Sequence, residues 1–121
     1  MAKITVVDDS EVIRQEVRVI LERGNHQVSE AADGEAGLEV IKQEKPDLII
    51  TDLNMPVKDG IDMVRDLREI EEFKQTIVLM LTTESGTDLK LMGKEVGIRA
   101  WVVKPIVEDK LLKVIDKLLS K

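Results

Sequence analysis

Two adjacent aspartates, Asp8 and Asp9, close the short apolar run Lys3-Ile-Thr-Val-Val-Asp-Asp-Ser10. Asp52 closes a second run, Asp47-Leu-Ile-Ile-Thr-Asp52. Thr82 closes a third, and Lys104, followed by Pro105, closes a fourth. If the runs ending in Asp8-Asp9 and Asp52 are neighbouring strands, three carboxylates converge. Three anions at hydrogen-bonding range do not all stay ionised unless a cation joins them. Hard oxygen ligands without nitrogen or sulfur suit Mg²⁺, with Mn²⁺ as a substitute. Magnesium uses one or two carboxylates, keeps several waters and completes its shell with phosphate oxygens. Lys104 would add a positive point and Thr82 a hydroxyl donor. The set suits a phosphoryl group on or near Asp52, because phosphoryl transfer asks mostly for positioning and charge neutralisation. A carboxylate can itself be the nucleophile and form an aspartyl phosphate. Taken singly these residues have plain uses: Asp9 or Ser10 caps a helix, Asp52 opens a turn before Pro56, Lys104 is a solvated lysine. Their joint placement at four strand ends carries the chemical reading.

The elements that place them can be read from hydrophobic periodicity. Residues 3–8 read as a strand. Ser10 caps a helix whose Ile13, Val17, Ile20 and Leu21 share a face, and Gly24-Asn25 ends it. Residues 27–31 form a weaker strand whose Ser29 and Glu30 suit an edge. Asp33-Gly34 turns into a helix reaching about Glu44, before Pro46. Residues 47–52 are the third strand, 53–60 a loop, and 61–71 a helix through Ile61, Val64 and Leu67. Residues 76–82 are nearly unbroken in apolar character, as a strand covered on both faces should be. A helix over 87–96 ends at Gly97, residues 100–103 form the fifth strand, and the last helix carries Leu111, Ile115, Leu118 and Leu119. Five strands alternating with five helices predict an α/β, doubly wound fold: an open parallel sheet with helices on both faces. In such sheets the site lies beyond the carboxyl ends of the strands, where these charged residues fall.

The 121 residues are the size of one domain, and no repeat, linker or low-complexity tract divides residues 1–121. Without cysteine there is no disulfide or thiolate chemistry, and with His26 as the one histidine there is no imidazole-built zinc site. The N-terminal apolar run is too short for a signal peptide or membrane span, so a cytoplasmic location and no membrane partner are expected. A net charge of −6 argues against general nucleic-acid binding. The charge is uneven: residues 88–121 hold 8 basic and 5 acidic residues, against 10 and 19 before them. Lys90 and Lys94 lie four apart on one helix, and Lys110, Lys113 and Lys117 recur on another, with Arg99 and Trp101 between. A basic rim around an aromatic suits an acidic peptide or helix.

The stretches Val-Val-Asp8-Asp9-Ser, Thr-Asp52-Leu-Asn54-Met-Pro56-Val-Lys-Asp-Gly60, Leu-Thr82-Thr-Glu84 and Trp101-Val-Val-Lys104-Pro105 resemble the receiver domains of bacterial two-component response regulators, over essentially the whole chain. Within that family the chain is most similar to the stand-alone, CheY-like chemotaxis regulators. The resemblance implies a flavodoxin-like (βα)5 fold with strand order 2-1-3-4-5. It implies that Asp52 accepts a phosphoryl group from a histidine kinase. It further implies that Asp9 and Asp52 bind Mg²⁺ directly with the backbone carbonyl of Asn54, and that Asp8 acts mainly through water. Lys104 would contact the phosphoryl group. Thr82 would hydrogen-bond it and draw its loop inward, and Trp101 holds the position of the aromatic that moves with that threonine. The family usually has tyrosine, phenylalanine or histidine there, and phenylalanine where this chain has Ile106. A cis Lys104–Pro105 bond is a further expectation from the resemblance.

On this reading the chain is a phosphorylation-dependent switch in which Asp52, Thr82 and Lys104 carry the chemistry and Thr82 and Trp101 the switching. It is not a metabolic enzyme; it catalyses its own phosphorylation and then slow dephosphorylation. Output is by binding, in chemotaxis to a flagellar motor switch component, with a phosphatase as a further partner. The alternative is a phosphorelay intermediate or adaptor receiver. A Mg-dependent aspartate-nucleophile phosphohydrolase needs an acid two residues after the nucleophile, where this chain has Asn54. A flavin carrier would need a phosphate-binding loop after the first strand and aromatics to sandwich the ring, where this chain offers two aspartates, one Trp and one Phe.

Overall fold

The computed structural model describes residues 2–120. Its elements follow the order β1 (Lys3–Val7), α1 (Glu11–Arg23), β2 (Gln27–Ala31), α2 (Gly34–Glu44), β3 (Leu48–Thr51), α3 (Gly60–Leu67), a 3₁₀ turn (Glu71–Phe73), β4 (Ile77–Thr82), α4 (Thr87–Glu95), β5 (Ala100–Val103) and α5 (Glu108–Leu119). All strands pair in parallel, in the order β2-β1-β3-β4-β5 that the resemblance implies. β1 and β3 are therefore neighbours, with Val7 opposite Thr51, and the residues after each emerge side by side.

The pleat sorts the strand side chains between two layers. Ile4 and Val6, Leu48 and Ile50, and Leu79 and Leu81 pack with Val17, Leu21, Leu111 and Ile115 of α1 and α5. Val7, Ile49 and Val78 face the other way, against Ile41, Met63, Val64 and Leu67 of α2 and α3. Met80 joins Leu53 and Ile61 in a smaller cluster on that side, on which Leu89, Ile98 and Trp101 pack. Central strands covered on both faces explain the unbroken apolar runs. β2 is the half-buried edge its polar residues suggest.

The helix starts follow side-chain capping. Ser10, Asp33 and Asp59 accept hydrogen bonds from Ile13, Ala36 and Asp62 backbone N–H groups. One expected element differs: the single helix over 61–71 stops at Leu67, and a separate 3₁₀ turn follows. The break turns Phe73 into the core, where it is 3 % exposed. Arg68 holds the new path, its guanidinium donating to the carbonyls of Phe73, Thr76 and Val96. The expected last-helix stripe narrows as well: Leu111 and Ile115 are buried, Leu118 and Leu119 partly so.

Candidate functional site

Each predicted strand-end residue arrives at one end of the sheet. Asp8 and Asp9 follow β1, Asp52 follows β3, Thr82 ends β4 and Lys104 follows β5. Asp8, Asp9 and Asp52 each present a carboxylate oxygen such that all three atoms lie within 4.8 Å of one another. The backbone continues the ladder beneath them: Asp8 N–H donates to Ala31 and Asp52 N–H to Val7, at 3.1 and 2.9 Å. Their positions are thus set by strand pairing, while burial grades across the cluster. Asp8 is buried, Asp52 half-buried and Asp9 exposed. An all-oxygen acidic pocket open on one side fits a hard divalent cation that keeps part of its water shell.

Lys104 reaches across from β5. Its Nζ lies 3.0 Å from Asp8 Oδ2 and 3.3 Å from Asp52 Oδ2. Burial pushes the Asp8 carboxyl above the usual aspartate range, with the Asp52 charge acting the same way; hydrogen bonds from Ser10 N–H and Lys104 partly offset this. Burial works against the Lys104 ammonium, but the Asp8 hydrogen bond and the charges of Asp8 and Asp52 outweigh it and hold its pKa above the ordinary lysine value. The cluster therefore carries an excess of negative charge that one ammonium does not balance.

The loop after Asp52 folds back tightly beneath it. Gly60 N–H donates to Leu53 C=O at 2.8 Å, and a Cβ on Gly60 would lie 2.1 Å from the Asp52 carbonyl oxygen. Only glycine permits that approach. Asn54 sits exposed at the rim, and its side-chain amide donates to Glu84 Oε2 at 3.1 Å. Thr82 is fully buried, and its hydroxyl oxygen accepts from Glu84 N–H at 3.3 Å. That leaves its own proton free to donate. The Lys104–Pro105 bond is cis.

Trp101 lies one layer behind, on β5. Its indole N–H donates to the Glu84 carbonyl at 2.7 Å, and its ring packs on α4 at Gly93, where a Cβ would come within 2.9 Å of Cζ3. Glu84 therefore meets Asn54, Thr82 and Trp101 through three different groups. Nothing in the sequence signals Glu84, Gly93 or Arg68: their partners are brought close only by the tertiary fold, as Trp101 is to Gly93, or are backbone atoms, which leave no residue signature.

The predicted basic rim is assembled in part. Lys90, Lys94, Ile98, Arg99, Ala100 and Trp101 line one surface cavity of about 230 Å³. Arg99, Ala100 and Lys117 line an adjoining one with Val114 and Leu118. Lys110 and Lys113 are exposed on α5 but line neither.

The chain is similar to known proteins in sequence and fold. The family model described as response regulator receiver domain matches residues 4–116. Protein PilH of Pseudomonas aeruginosa is 36% identical over 120 residues, covering 99% of both chains. Chemotaxis protein CheY-3 of Vibrio cholerae is 33% identical, covering 98% of this chain and 92% of its own. The solved structure of Vibrio cholerae chemotaxis protein CheY4 superposes with a TM-score of 0.94 at 42% identity, covering 98% of this chain and 99% of that one.

Proposed function

The chain belongs to the response regulator receiver domain family, and from that premise we propose that it is a signalling switch set by phosphorylation of Asp52. The observation that carries this reading is the convergence of Asp52 with Asp8, Asp9 and Lys104. In the forward step an Asp52 carboxylate oxygen attacks the phosphorus of a phosphohistidine on a histidine kinase. The P–N bond breaks, the imidazole leaves, and Asp52 holds an acyl phosphate. A small acyl phosphate can serve as donor in the same way. Water later attacks the phosphorus, the P–O bond to Asp52 breaks, inorganic phosphate leaves and the carboxylate is restored.

Mg²⁺ is the cation this all-oxygen site suits, and it would supply the charge neutralisation that phosphoryl oxygens need. Asp9 and Asp52, with the backbone carbonyl of Asn54, would hold it directly, and Asp8 through water; Mn²⁺ would substitute. Lys104 turns from its two aspartates to a phosphoryl oxygen. Thr82 donates its free hydroxyl proton to another. Because Thr82 and Trp101 both bond to Glu84, a shift of the 83–86 loop is felt at the indole. Asn54 is a neutral amide, so no acid stands two residues after the nucleophile to serve a metabolic hydrolase.

Output would be by binding. The basic cavity beside Trp101 and the one adjoining it suit an acidic peptide or helix, and the likeness to chemotaxis proteins makes a flagellar motor switch component our first choice of target. A phosphatase would be a further partner, and a cytoplasmic location follows from both kinds. Among the described residues no helix is long and apolar enough to cross a membrane. The test is amide hydrogen exchange with and without Mg²⁺ plus beryllofluoride, a phosphoryl mimic. Protection changes in the 83–86 loop, α4 and β5, absent in Asp52→Asn, are expected. Changes confined to residues 8–10 and 52–55 would contradict the switch.

A further inference from the structure

On the β2 side of the acidic cluster lies a charged group that the roles above leave unused. Arg14 of α1 donates through Nη1 to the backbone carbonyl of Asp8 at 2.6 Å, and through Nε to Glu30 Oε1 at 3.1 Å. Arg18, one turn on, donates through Nε to the other Glu30 oxygen and through Nη1 to Glu22. Both oxygens of Glu30 are thus occupied by guanidinium groups. The Arg14 and Glu30 side chains are only 16% and 24% exposed, so the pair is shielded from free solvent exchange.

The carbonyl that Arg14 holds belongs to the Asp8–Asp9 peptide. Fixing that oxygen fixes the plane from which Asp9, the exposed member of the cluster, leaves the chain. The guanidinium is also a permanent cation held on the peptide that joins Asp8 and Asp9. It is engaged by a carbonyl and by Glu30 rather than by the carboxylates. Released from Glu30, it would be left beside the Asp8–Asp9 segment as a competitor for the place of a divalent ion.

We propose that Arg14 and Glu30 are a positioning pair for the cation site: Arg14 sets the Asp8–Asp9 peptide, and Glu30 keeps the Arg14 charge off the carboxylates. Neither touches the reacting atoms. The proposal rests on the reading of the aspartate cluster as a Mg²⁺ site.

The experiment is calorimetric Mg²⁺ titration of the full chain at low and high ionic strength, with melting temperatures alongside. Glu30→Gln should weaken Mg²⁺ binding about three- to tenfold at low salt, from the Coulomb cost of a freed cation nearby. The deficit should shrink at high salt as that charge is screened. Arg14→Gln should weaken binding with little salt dependence, because it loses the clamp and leaves no freed guanidinium beside the carboxylates. Arg14→Lys keeps the charge but lacks the fork that spans both acceptors, and should fail to restore affinity. Arg14→Gln combined with Glu30→Gln should match Arg14→Gln alone. A Glu30→Gln protein with native Mg²⁺ affinity at low salt would overturn the pairing, as would losses that simply add in the double variant. A purely structural role would lower the melting temperature and leave the salt-dependent affinity difference at zero, which also overturns it. If the native chain takes up no Mg²⁺, the cation-site reading falls and this inference with it.

Discussion

The two ends of β5 present opposite electrostatic designs within a few residues. Lys104, past its carboxyl end, is drawn into a partly buried nest of aspartates, where two hydrogen bonds fix one ammonium at 3.0 and 3.3 Å. Arg99 and the α4 lysines Lys90 and Lys94 are exposed around Trp101, spread over a surface rather than focused on a point. A focused, desolvated charge pair perturbs pKa values and binds a small hard ligand. A dispersed, solvated set steers a larger partner and contributes little at any one position. On the proposed function, chemistry and recognition divide between adjoining regions, and Glu84 is a residue that touches both, through Asn54 on one side and Trp101 on the other.

That division sets the size of the effects expected from breaking each region. Lys104→Ala should fold, because the site lies beyond the core, and should lose phosphorylation-dependent partner binding altogether. Partner affinity that still rises on beryllofluoride treatment of this variant would remove Lys104 from the switch. Asp9→Ala should weaken Mg²⁺ binding by at least about a hundredfold, given that even an outer-shell partner is worth about 10- to 100-fold. The same variant should melt a few degrees higher without metal, since relief of like-charge repulsion on the order of 1 kcal/mol shifts a domain of this size by that much. A lower metal-free melting temperature would mean that the carboxylates do not repel as their placement implies.

On the recognition side the effects should be smaller and salt-dependent. Charge reversal at Lys90 and Lys94 should slow association with an acidic target about tenfold at low salt and less at physiological salt, with Mg²⁺ affinity unchanged. An unchanged on-rate would reduce the basic rim to a solvated surface. Gly93→Ala should sit between the two regions. The added methyl meets Trp101 Cζ3 at 2.9 Å, at a cost of about 1–3 kcal/mol for overpacking, against about 1 kcal/mol gained in helix propensity. The tryptophan emission should shift, and Trp101→Phe in the same chain should restore stability. A Gly93→Ala protein with native emission would show that the indole does not rest on α4.

How much of this was legible in the sequence varies with the kind of interaction. The five strands and the residues that close them are periodic or terminal features, so Asp8, Asp9, Asp52, Thr82 and Lys104 could be picked out before any contact was known. Strand order came from resemblance, because periodicity carries no information about which strands pair. Periodicity does not reveal the helix break after Leu67: Ile70 and Phe73 continue an apolar pattern, while Arg68 binds carbonyls across the chain where the helix ends. Gly93 and Glu84 were silent for the same reason. One leaves room for an indole eight residues on, and the other acts largely through its backbone. Spacing groups Lys110 and Lys113 with the basic rim, but helix period alone cannot tell which exposed lysines border a cavity on the neighbouring strand.

The proposed switch stands most directly on the identity of the phosphorylated residue. The decisive measurement is acetyl phosphate labelling followed by site mapping of the acyl phosphate, in the presence of Mg²⁺ and after chelation. One phosphoryl group on Asp52, dependent on Mg²⁺ and absent from Asp52→Asn, is predicted. Robust labelling of Asp52→Asn under the same conditions, or labelling of Asp52 that persists without a divalent cation, would contradict it.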